Sequence, residues 1–455
     1  MSGMWNGQNG RYEMMKRTKM IGLSLLLFAG MLPAQEHANV KKWSLQECID
    51  YAKEHNLEVR MQQMNVQQQE VTLSTVKSKR LPDLSASASQ GWNFGRSPSG
   101  YDNTYKDQNS RSTNWSLSTS VPVFTGFRIT NEEAVARLNL QAIAAELEKV
   151  KENMEITVTS AYLQVLYQKE LLGVSNEQLA LSREQLERIR SMHAAGRASE
   201  AQIYEVEAQV ANDELSVVQA ESDLQIALLG LTQLLELPGP EGFAVEEPAG
   251  EVEFLLARKP EDIYHTALTT RASVRAEELR LKSSEKNIGM ARSAYYPTLS
   301  FRAGYSNNYY FADGMDNLSF SEQLKKNRNQ YLGFNLSVPI FNRWATRNGV
   351  RSAKLDKRRQ ELQLENTKKA LYKDIQQAYY NAVAAGEKYK ASEAAYVSAR
   401  KSFGYMNEKF ANGRATVYEY NQSRTGMTKA MSNRTQAKYE YLLRKKIMEY
   451  YEGFN

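Results

Sequence analysis

The sequence is poor in the residues that build catalytic and metal sites. One cysteine in 455 residues excludes an internal disulfide and a cysteine-based metal site. The four histidines are isolated and lack the spacing of metal ligands. There is no phosphate-binding loop, no Gly-x-Ser-x-Gly turn and no metalloprotease motif. These absences argue against an enzyme, and we expect no catalytic residue, no metal and no cofactor.

Blocks of like charge and long apolar runs are also lacking. The formal charge of +6 is spread along the chain, so no nucleic-acid partner is expected. The apolar run Met20–Leu32 is shorter than the roughly 20 residues that a membrane helix needs. It follows Lys16-Arg17-Thr18-Lys19 and ends near Ala34, which is typical of a secretory signal peptide. We therefore predict a signal peptide at residues 1–34 and an exported chain.

The chain contains one unit twice. The segment Val121-Pro122-Val123-Phe124 recurs 217 residues later as Val338-Pro339-Ile340-Phe341. At the same offset, Gly196-Arg197-Ala198 recurs as Gly413-Arg414-Ala415. Several matches in the same order indicate an internal repeat. We place repeat 1 at residues 35–240, an irregular equatorial segment at 241–259, and repeat 2 at 260–455.

Each repeat has a pair of alternating strands, at residues 83–123 and 298–340. One face is apolar and aromatic, and the other carries small polar residues. Two interpretations are open: a soluble sandwich, or a membrane barrel whose apolar face meets lipid. Strands of about 10 residues suit a tilted membrane strand. We predict that the strands end at strand–helix junctions marked by Pro122, Phe124, Pro339 and Phe341. An aromatic girdle is predicted at Trp92, Trp115, Tyr296 and Tyr331.

Long helices without proline follow each strand pair, at residues 128–195 and 345–412. Each is predicted to reach roughly 100 Å at 1.5 Å per residue. Glycine turns at Gly196 and Gly413 lead into return helices at 200–237 and 416–452. A return helix and an entry helix (Leu45–Arg80 or Pro260–Tyr296) together match one long helix in length. We therefore expect two short helices, stacked end to end, beside each long helix.

The chain resembles TolC-like outer membrane efflux proteins. The resemblance rests on three features: the doubled order of elements, the Val-Pro-Val-Phe and Val-Pro-Ile-Phe junctions, and the Gly-Arg-Ala turns. The resemblance implies a membrane β-barrel joined to an α-helical barrel, with four strands per protomer and 12 strands in a homotrimer. It implies a location in the outer membrane of a Gram-negative bacterium, in contact with its lipid and extending into the periplasm. It also implies a passive channel of a tripartite efflux or type I secretion system. The implied partners are a periplasmic adaptor (membrane fusion) protein and an inner-membrane pump of RND, ABC or MFS type.

The resemblance also assigns site residues. It implies a periplasmic gate at Glu419 and Gln422, where the uncharged Gln422 departs from the family's second acidic position. It implies that the adaptor docks on the two helix tips, at Gly196, Arg197, Ala198, Ser199, Gly413, Arg414, Ala415 and Thr416. The simpler alternatives are a solvated helix face for Glu419 and helix capping alone for the tips. The alternative for the whole chain is a secreted or periplasmic coiled-coil scaffold or adhesin.

Overall fold

The computed structural model of the chain describes residues 41–98, 104–247 and 258–453. The predicted signal peptide and most of the predicted equatorial segment lie outside these ranges. The helices are α1 (Leu45–His55), α2 (Leu57–Ser78), α3 (Arg128–Ala194), α4 (Glu200–Leu234), α5 (Pro260–Thr270), α6 (Ala272–Arg292), α7 (Phe320–Lys326), α8 (Ala345–Ala411) and α9 (Val417–Glu452). The strands are β1 (Lys41–Trp43), β2 (Asp83–Asn93), β3 (Arg96–Pro98), β4 (Tyr105–Asp107), β5 (Ser110–Phe124), β6 (Phe243–Val245), β7 (Thr298–Ala312) and β8 (Asn329–Ser337).

The four long strands form one antiparallel sheet in the order β2-β5-β7-β8. The two strand pairs are joined because β5 of repeat 1 pairs with β7 of repeat 2. Directly opposed residues share a face, so the register defines two faces. The apolar face carries exposed leucines and phenylalanines, namely Leu84, Leu117, Leu332, Phe334 and Leu336. The serine face is made of Ser85, Ser87, Ser116, Ser118 and Ser306.

Hydroxyl groups meet across the serine face. The Oγ atoms of Ser85 and Ser118 are 2.9 Å apart, and those of Ser87 and Ser116 are 2.7 Å apart. Such a face suits contact with water, whereas the opposite face exposes several leucine, phenylalanine and tryptophan side chains. The outer strands β2 and β8 each pair on one side only within this sheet, so both edges are open.

The ends of the strands differ from the sequence prediction. Strand β5 passes Pro122 and continues to Phe124, with an irregularity in the register between these residues. Proline lacks the N–H group that the ladder needs, so the strand bulges there instead of ending. In repeat 2, by contrast, β8 ends at Ser337, before Pro339. The loops also differ, because β3 and β4 pair in the first loop and α7 forms in the second.

The two long helices, α3 and α8, contain 67 residues each. The entry helices, predicted to be continuous, are each broken in two. The break in repeat 1 lies at Asn56, whose side chain accepts the Glu58 N–H (2.9 Å) and donates to the Leu234 carbonyl (2.9 Å). The break in repeat 2 lies at Arg271, which donates to the Tyr450 carbonyl. The polar side chains at these breaks thus connect the entry helices to the ends of the return helices α4 and α9.

The helices form a wall that continues the sheet. At the sheet end, α3 packs against α2 and α6, and α6 packs against α8. At the other end, α3 packs against α4 and α9, and α9 packs against α8. Each long helix therefore has stacked short helices beside it, as the lengths predicted. None of the described helices is both long and apolar enough to cross a membrane.

Many contacts across the wall are polar. Glu146 of α3 bonds to Arg280 of α6, and Glu170 of α3 accepts from Lys438 of α9 at 2.7 Å. Two apolar clusters lie at equivalent levels midway along the long helices, around Val158 in α3 and Ile375 in α8. A third cluster at the far end includes Leu186, Ile189, Val206, Phe403, Phe410 and Tyr420. This wall has thin cores and polar seams because each helix packs mainly on its two lateral neighbours.

Candidate functional site

The turns at the far end of the wall have the same geometry in both repeats. Gly196 and Gly413 have φ angles of 71° and 67°, a region that favours glycine. The N–H of Arg197 donates to the Met192 carbonyl at 2.8 Å, and the N–H of Arg414 donates to the Lys409 carbonyl at 2.9 Å. These bonds satisfy carbonyl groups at the end of each long helix. The predicted capping role of the glycines is therefore present, and Arg197 and Arg414 are exposed.

Each turn leads into a capped return helix. The Thr416 N–H and hydroxyl both donate to the Glu419 carboxylate at 2.8 Å, and the Glu419 N–H donates to the Thr416 Oγ1 at 3.2 Å. In repeat 1 the Ser199 N–H donates to the Gln202 amide oxygen at 3.0 Å. Glu419 and Gln202 are equivalent in the repeat, since both are the third residue of their helix. Glu419 is thus a helix-capping residue in this chain.

The same bonds affect the charge of Glu419. The backbone and side-chain hydrogen bonds from Thr416 lower the pKa of the Glu419 carboxyl below its usual range. Gln422 lies one turn further along α9, and both side chains are exposed. Glu419 is therefore an ionised, accessible group close to the turn, and Gln422 adds no charge beside it.

A buried polar cluster lies below the tips and was missed in the sequence. The Arg424 side chain is only 1% exposed, and its Nη1 atom lies 3.5 Å from the Oδ2 atom of Asp213 in α4. With its amide oxygen turned towards Arg424, Gln178 of α3 accepts from Nε and Nη1 at 2.9 and 3.1 Å. Burial lowers the pKa of Arg424, although Asp213 opposes the change. The cluster joins three helices, and no local sequence pattern marks it.

The predicted aromatic girdle is only partly on one face. Trp92 and Trp115 lie on the apolar face, and the Trp115 ring packs on Phe320 of α7 at 5.9 Å. Tyr331 lies on the serine face instead, because it pairs with Gly304, which pairs with Ser118. Its ring occupies the space above Gly304, where an added Cβ would lie 2.5 Å from the ring. Tyr331 therefore does not belong to an aromatic girdle on the apolar face.

Aromatic residues also join the sheet to the helices. Phe127 packs edge-on against Phe124 at 5.3 Å and against Tyr296 at 6.1 Å. In repeat 2, Trp344 packs against Phe341 at 5.8 Å. Phe127 and Trp344 directly precede the long helices and have φ angles of 65° and 63°. Positive φ is uncommon for aromatic residues, and its occurrence at equivalent positions shows that both junctions turn in the same way.

The two junctions differ in their surroundings. Pro122 and Phe124 pair with Ser300 and Leu299 of β7, so the junction of repeat 1 is partly covered. None of the described strands pairs with Pro339 or Phe341, and Ile340 between them is 95% exposed. Within the described residues, no three His, Cys, Asp or Glu side chains are grouped to hold a metal ion. The features that this chain presents are therefore surfaces, strand edges and helix tips.

Comparison with known proteins supports this description. Among curated relatives, the outer membrane protein TolC of Escherichia coli (strain K12) is 23% identical over 437 residues, covering 93% of this chain and 83% of TolC. The pyoverdine export outer membrane protein OpmQ of Pseudomonas aeruginosa is 26% identical over 250 residues, covering 52% of this chain and 48% of OpmQ.

Solved structures show the same fold. The Campylobacter jejuni CmeC outer membrane channel matches with a TM-score of 0.75 at 16% identity, over 90% of this chain and 85% of CmeC. The open state of the Neisseria gonorrhoeae MtrE outer membrane channel matches with a TM-score of 0.71 at 19% identity, over 90% of this chain and 88% of MtrE.

A family model described as "Outer membrane efflux protein" matches residues 48–236 and 263–446. These two ranges fall within the two sequence repeats and together cover most of the chain. The match confirms the resemblance found in the sequence, and it does not favour a coiled-coil scaffold or adhesin. The chain belongs to the outer membrane efflux protein family, and it is an outer membrane efflux or secretion channel of a Gram-negative bacterium rather than an enzyme.

Proposed function

We propose that three copies of this chain close into one passive duct, in which each copy contributes four strands to a 12-stranded barrel and its helices to an α-helical barrel. One observation carries the proposal: the sheet has two open edges, and the strand–helix junction is covered in repeat 1 but bare in repeat 2. A sheet with an apolar outer face and open edges is stable in a membrane only when the edges are paired. A barrel of four strands is also too small, since membrane barrels begin at about eight strands.

The internal repeat supplies a template for the contact between copies. Within the chain, Val121 of β5 pairs with Phe301 of β7. Before the loop between the strands the two repeats are offset by 215 residues instead of 217, since Leu84-Ser85 matches Leu299-Ser300. The equivalent of Val121 is therefore Val338 in repeat 2, and that of Phe301 is Ala86 in repeat 1. We infer that Val338 of one copy pairs with Ala86 of the next copy, so that β8 and β2 close the ring. Trp344 would then pack near Leu81 of that copy, as Phe127 packs on Tyr296.

The register is tested by cysteine cross-linking in the outer membrane. The single natural cysteine, Cys48, is buried and is first replaced by Cys48→Ala. The pair Val338→Cys and Ala86→Cys should form disulfides between copies and give a covalent trimer, because opposed strand residues lie within disulfide reach. The control pair, Val338→Cys and Gln90→Cys, is displaced along β2 by about 13 Å and should not cross-link. A stable monomer by native mass measurement, or equal cross-linking of both pairs, would contradict the proposal.

We further propose that the duct serves a tripartite efflux or type I secretion system. The tips at residues 196–199 and 413–416 would dock a periplasmic adaptor, which connects to an inner-membrane pump of RND, ABC or MFS type. The rigid caps support this role, because they present Arg197 and Arg414 outward, and neither has a carboxylate within 4 Å among the described residues. Glu419 would form a ring of three carboxylates at the periplasmic gate, beside an uncharged ring of Gln422. The exposure and lowered pKa of Glu419 support this part of the proposal.

A further inference from the structure

The start of α8 carries a basic stripe that repeat 1 does not have. We define the stripe as Arg343, Arg347, Arg351 and Lys354. Arg343 lies two residues before α8, and the spacing of the other three places them along one side of its first turns. All four side chains are exposed, and none has a carboxylate within 4 Å in the described part of the chain. The equivalent residues of repeat 1 are Gly126, Thr130, Ala134 and Arg137. Of these only Arg137 is basic, and it donates to Glu133 at 3.0 Å.

Helix stability does not explain the stripe. Cations near the start of a helix are disfavoured by the positive end of its dipole. Like charges at a spacing of four residues also repel each other. In the second turn of α3, Glu132 and Glu133 bond to Lys79 and Arg80, which directly follow α2. By contrast, α8 contains no acidic residue before Asp356. The stripe is therefore a concentration of positive charge to which the described residues supply no counter-ion.

The stripe lies beside aromatic side chains at the edge of the apolar face. The guanidinium carbon of Arg347 is 5.2 Å from the centroid of the Trp344 ring, and Trp344 packs against Phe341. Phe341 is equivalent to Phe124, which pairs with Leu299, directly opposite Leu336 on the apolar face. These two contacts, with the equivalence of Phe341 and Phe124, favour a position of Arg347 on the same side of the wall as the apolar face.

The neighbouring apolar residues stay exposed after assembly. In repeat 1, where β7 already covers the junction, Val123 and Phe127 remain 54% and 57% exposed. Their equivalents are Ile340 and Trp344. When β2 of the next copy covers the junction of repeat 2, Ile340 and Trp344 should therefore remain at the surface. A cationic patch and a permanent apolar patch then adjoin at the level where the sheet meets the helices.

We propose that Arg347 and Arg351 bind the headgroup of an anionic phospholipid in the leaflet next to the helices. Arg343, whose equivalent Gly126 is buried beside Ser293 and Tyr296, would instead face the next copy. This inference rests on the proposed membrane barrel. The phosphate would accept from the arginine side chains, whose planar N–H groups match phosphate oxygens. The acyl chains would lie along Ile340 and the apolar face, with Trp344 at the polar boundary. From Arg347 to Arg351 is about 6 Å along the helix, so both side chains can contact one headgroup. A lipid fits better than a free anion because the cations border an apolar surface.

Native mass spectrometry of the purified channel tests the proposal. The channel in neutral detergent is titrated with phosphatidylglycerol, with phosphatidylcholine of the same acyl chains, and with glycerol phosphate. We expect phosphatidylglycerol to bind at up to three molecules per trimer, more tightly than phosphatidylcholine. Arg347→Gln with Arg351→Gln should weaken phosphatidylglycerol binding about tenfold or more and leave phosphatidylcholine binding unchanged, since each basic residue contributes to attraction of anionic lipid.

The matched control is Arg358→Gln, further along α8, where the arginine already bonds to Glu361 at 2.8 Å. It should leave phosphatidylglycerol binding unchanged. Thermal unfolding in lipid-free detergent must be the same for all variants, which excludes misfolding as a cause. Equal binding of phosphatidylglycerol by the wild type and the double variant would overturn the inference, and so would glycerol phosphate binding as tightly as the lipid.

Failure of the inference differs from failure of the proposed function. If the function is correct and the inference is wrong, the channel conducts in bilayers of any composition and shows no lipid preference. If the function itself is wrong, no conducting trimer forms, even in bilayers rich in phosphatidylglycerol.

Discussion

Repeat 1 and repeat 2 use the same backbone turns in different surroundings. Both long helices start after an aromatic residue of positive φ, and both end at a glycine of positive φ. The junction of repeat 1 packs against strand β7 of repeat 2, whereas the junction of repeat 2 is bare. At this junction repeat 1 is covered within the chain, and repeat 2 is open. The difference indicates that the junction of repeat 2 is a surface for contact with another copy.

The tips show the same contrast in their side chains. The third residue of the return helix is Gln202 in repeat 1 and Glu419 in repeat 2, and both make capping bonds. Five residues further, Glu207 forms an exposed ion pair with Arg190, while its equivalent Arg424 is buried against Asp213. The residues that cap the return helices are therefore similar in the two tips, whereas Glu207 and Arg424 differ in charge and in burial.

The largest effect is expected at Arg424. Arg424→Met should destabilise the chain by roughly 3–5 kcal/mol, because it leaves the Asp213 carboxylate buried without its partner. Glu207→Gln, at the equivalent exposed position, should cost only about 0.2–1 kcal/mol. Denaturant unfolding of the purified channel measures both. Arg424→Met combined with Asp213→Leu should recover much of the loss, since both charges are then removed. If Arg424→Met lowers the free energy of unfolding less than Glu207→Gln does, the proposed contrast between the buried and the exposed ion pair is wrong.

A smaller effect is expected at Gly413. Gly413→Val should destabilise the turn by about 1–2 kcal/mol, because a branched side chain is strained at positive φ. Gly404→Ala, in the interior of α8 with open space around it, is the control and should stabilise the helix by up to about 1 kcal/mol. Thermal unfolding of both variants measures the two effects, and an unchanged unfolding temperature for Gly413→Val would contradict the prediction.

Arg414→Glu separates the backbone of the same tip from its surface. The Arg414 side chain is exposed and its N–H alone makes the capping bond, so stability should not change. Cross-linking to the adaptor should weaken, because charge complementarity guides docking. If the Arg414→Glu variant cross-links to the adaptor as fully as the wild type does, Arg414 is not part of the docking surface.

The smallest effect on stability, but a clear one on conduction, is expected at Glu419. Glu419→Gln gives repeat 2 the capping residue of repeat 1, so unfolding should hardly change, while cation preference in planar bilayers should decrease. Glu419→Lys should reverse that preference. Unchanged selectivity in Glu419→Lys would show that Glu419 is a capping residue only.

The pH dependence of selectivity tests the same residue. The lowered pKa of Glu419 means that its charge persists in the folded chain below the ordinary carboxyl pKa of about 4.3. Its stabilising contribution is therefore present above that value and is lost as the pH falls through the lowered pKa. Cation preference in the wild type should follow the same course, and Glu419→Gln should show no such transition.

The sequence by itself determined the features that depend on neighbouring residues. The absence of proline from residues 128–194 and 345–411 allowed the long helices, and glycine followed by a serine or threonine set both turns. The period of two in the strands assigned serine and leucine to opposite faces. The repeat in the sequence also predicted the equivalence of the two halves, because each half carries the same local signals in the same order.

Only the tertiary structure decided features that depend on distant partners. The helix breaks at Asn56 and Arg271 follow from bonds to Leu234 and Tyr450, which lie far away in the sequence. Tyr331 lies above Gly304 because of the register between β7 and β8, and Pro122 remains in a strand because β7 lies beside it. Arg424 is buried by helices from the other repeat. Local patterns encode turns and periodicity, whereas register, burial and ion pairing arise only when separate segments pack together.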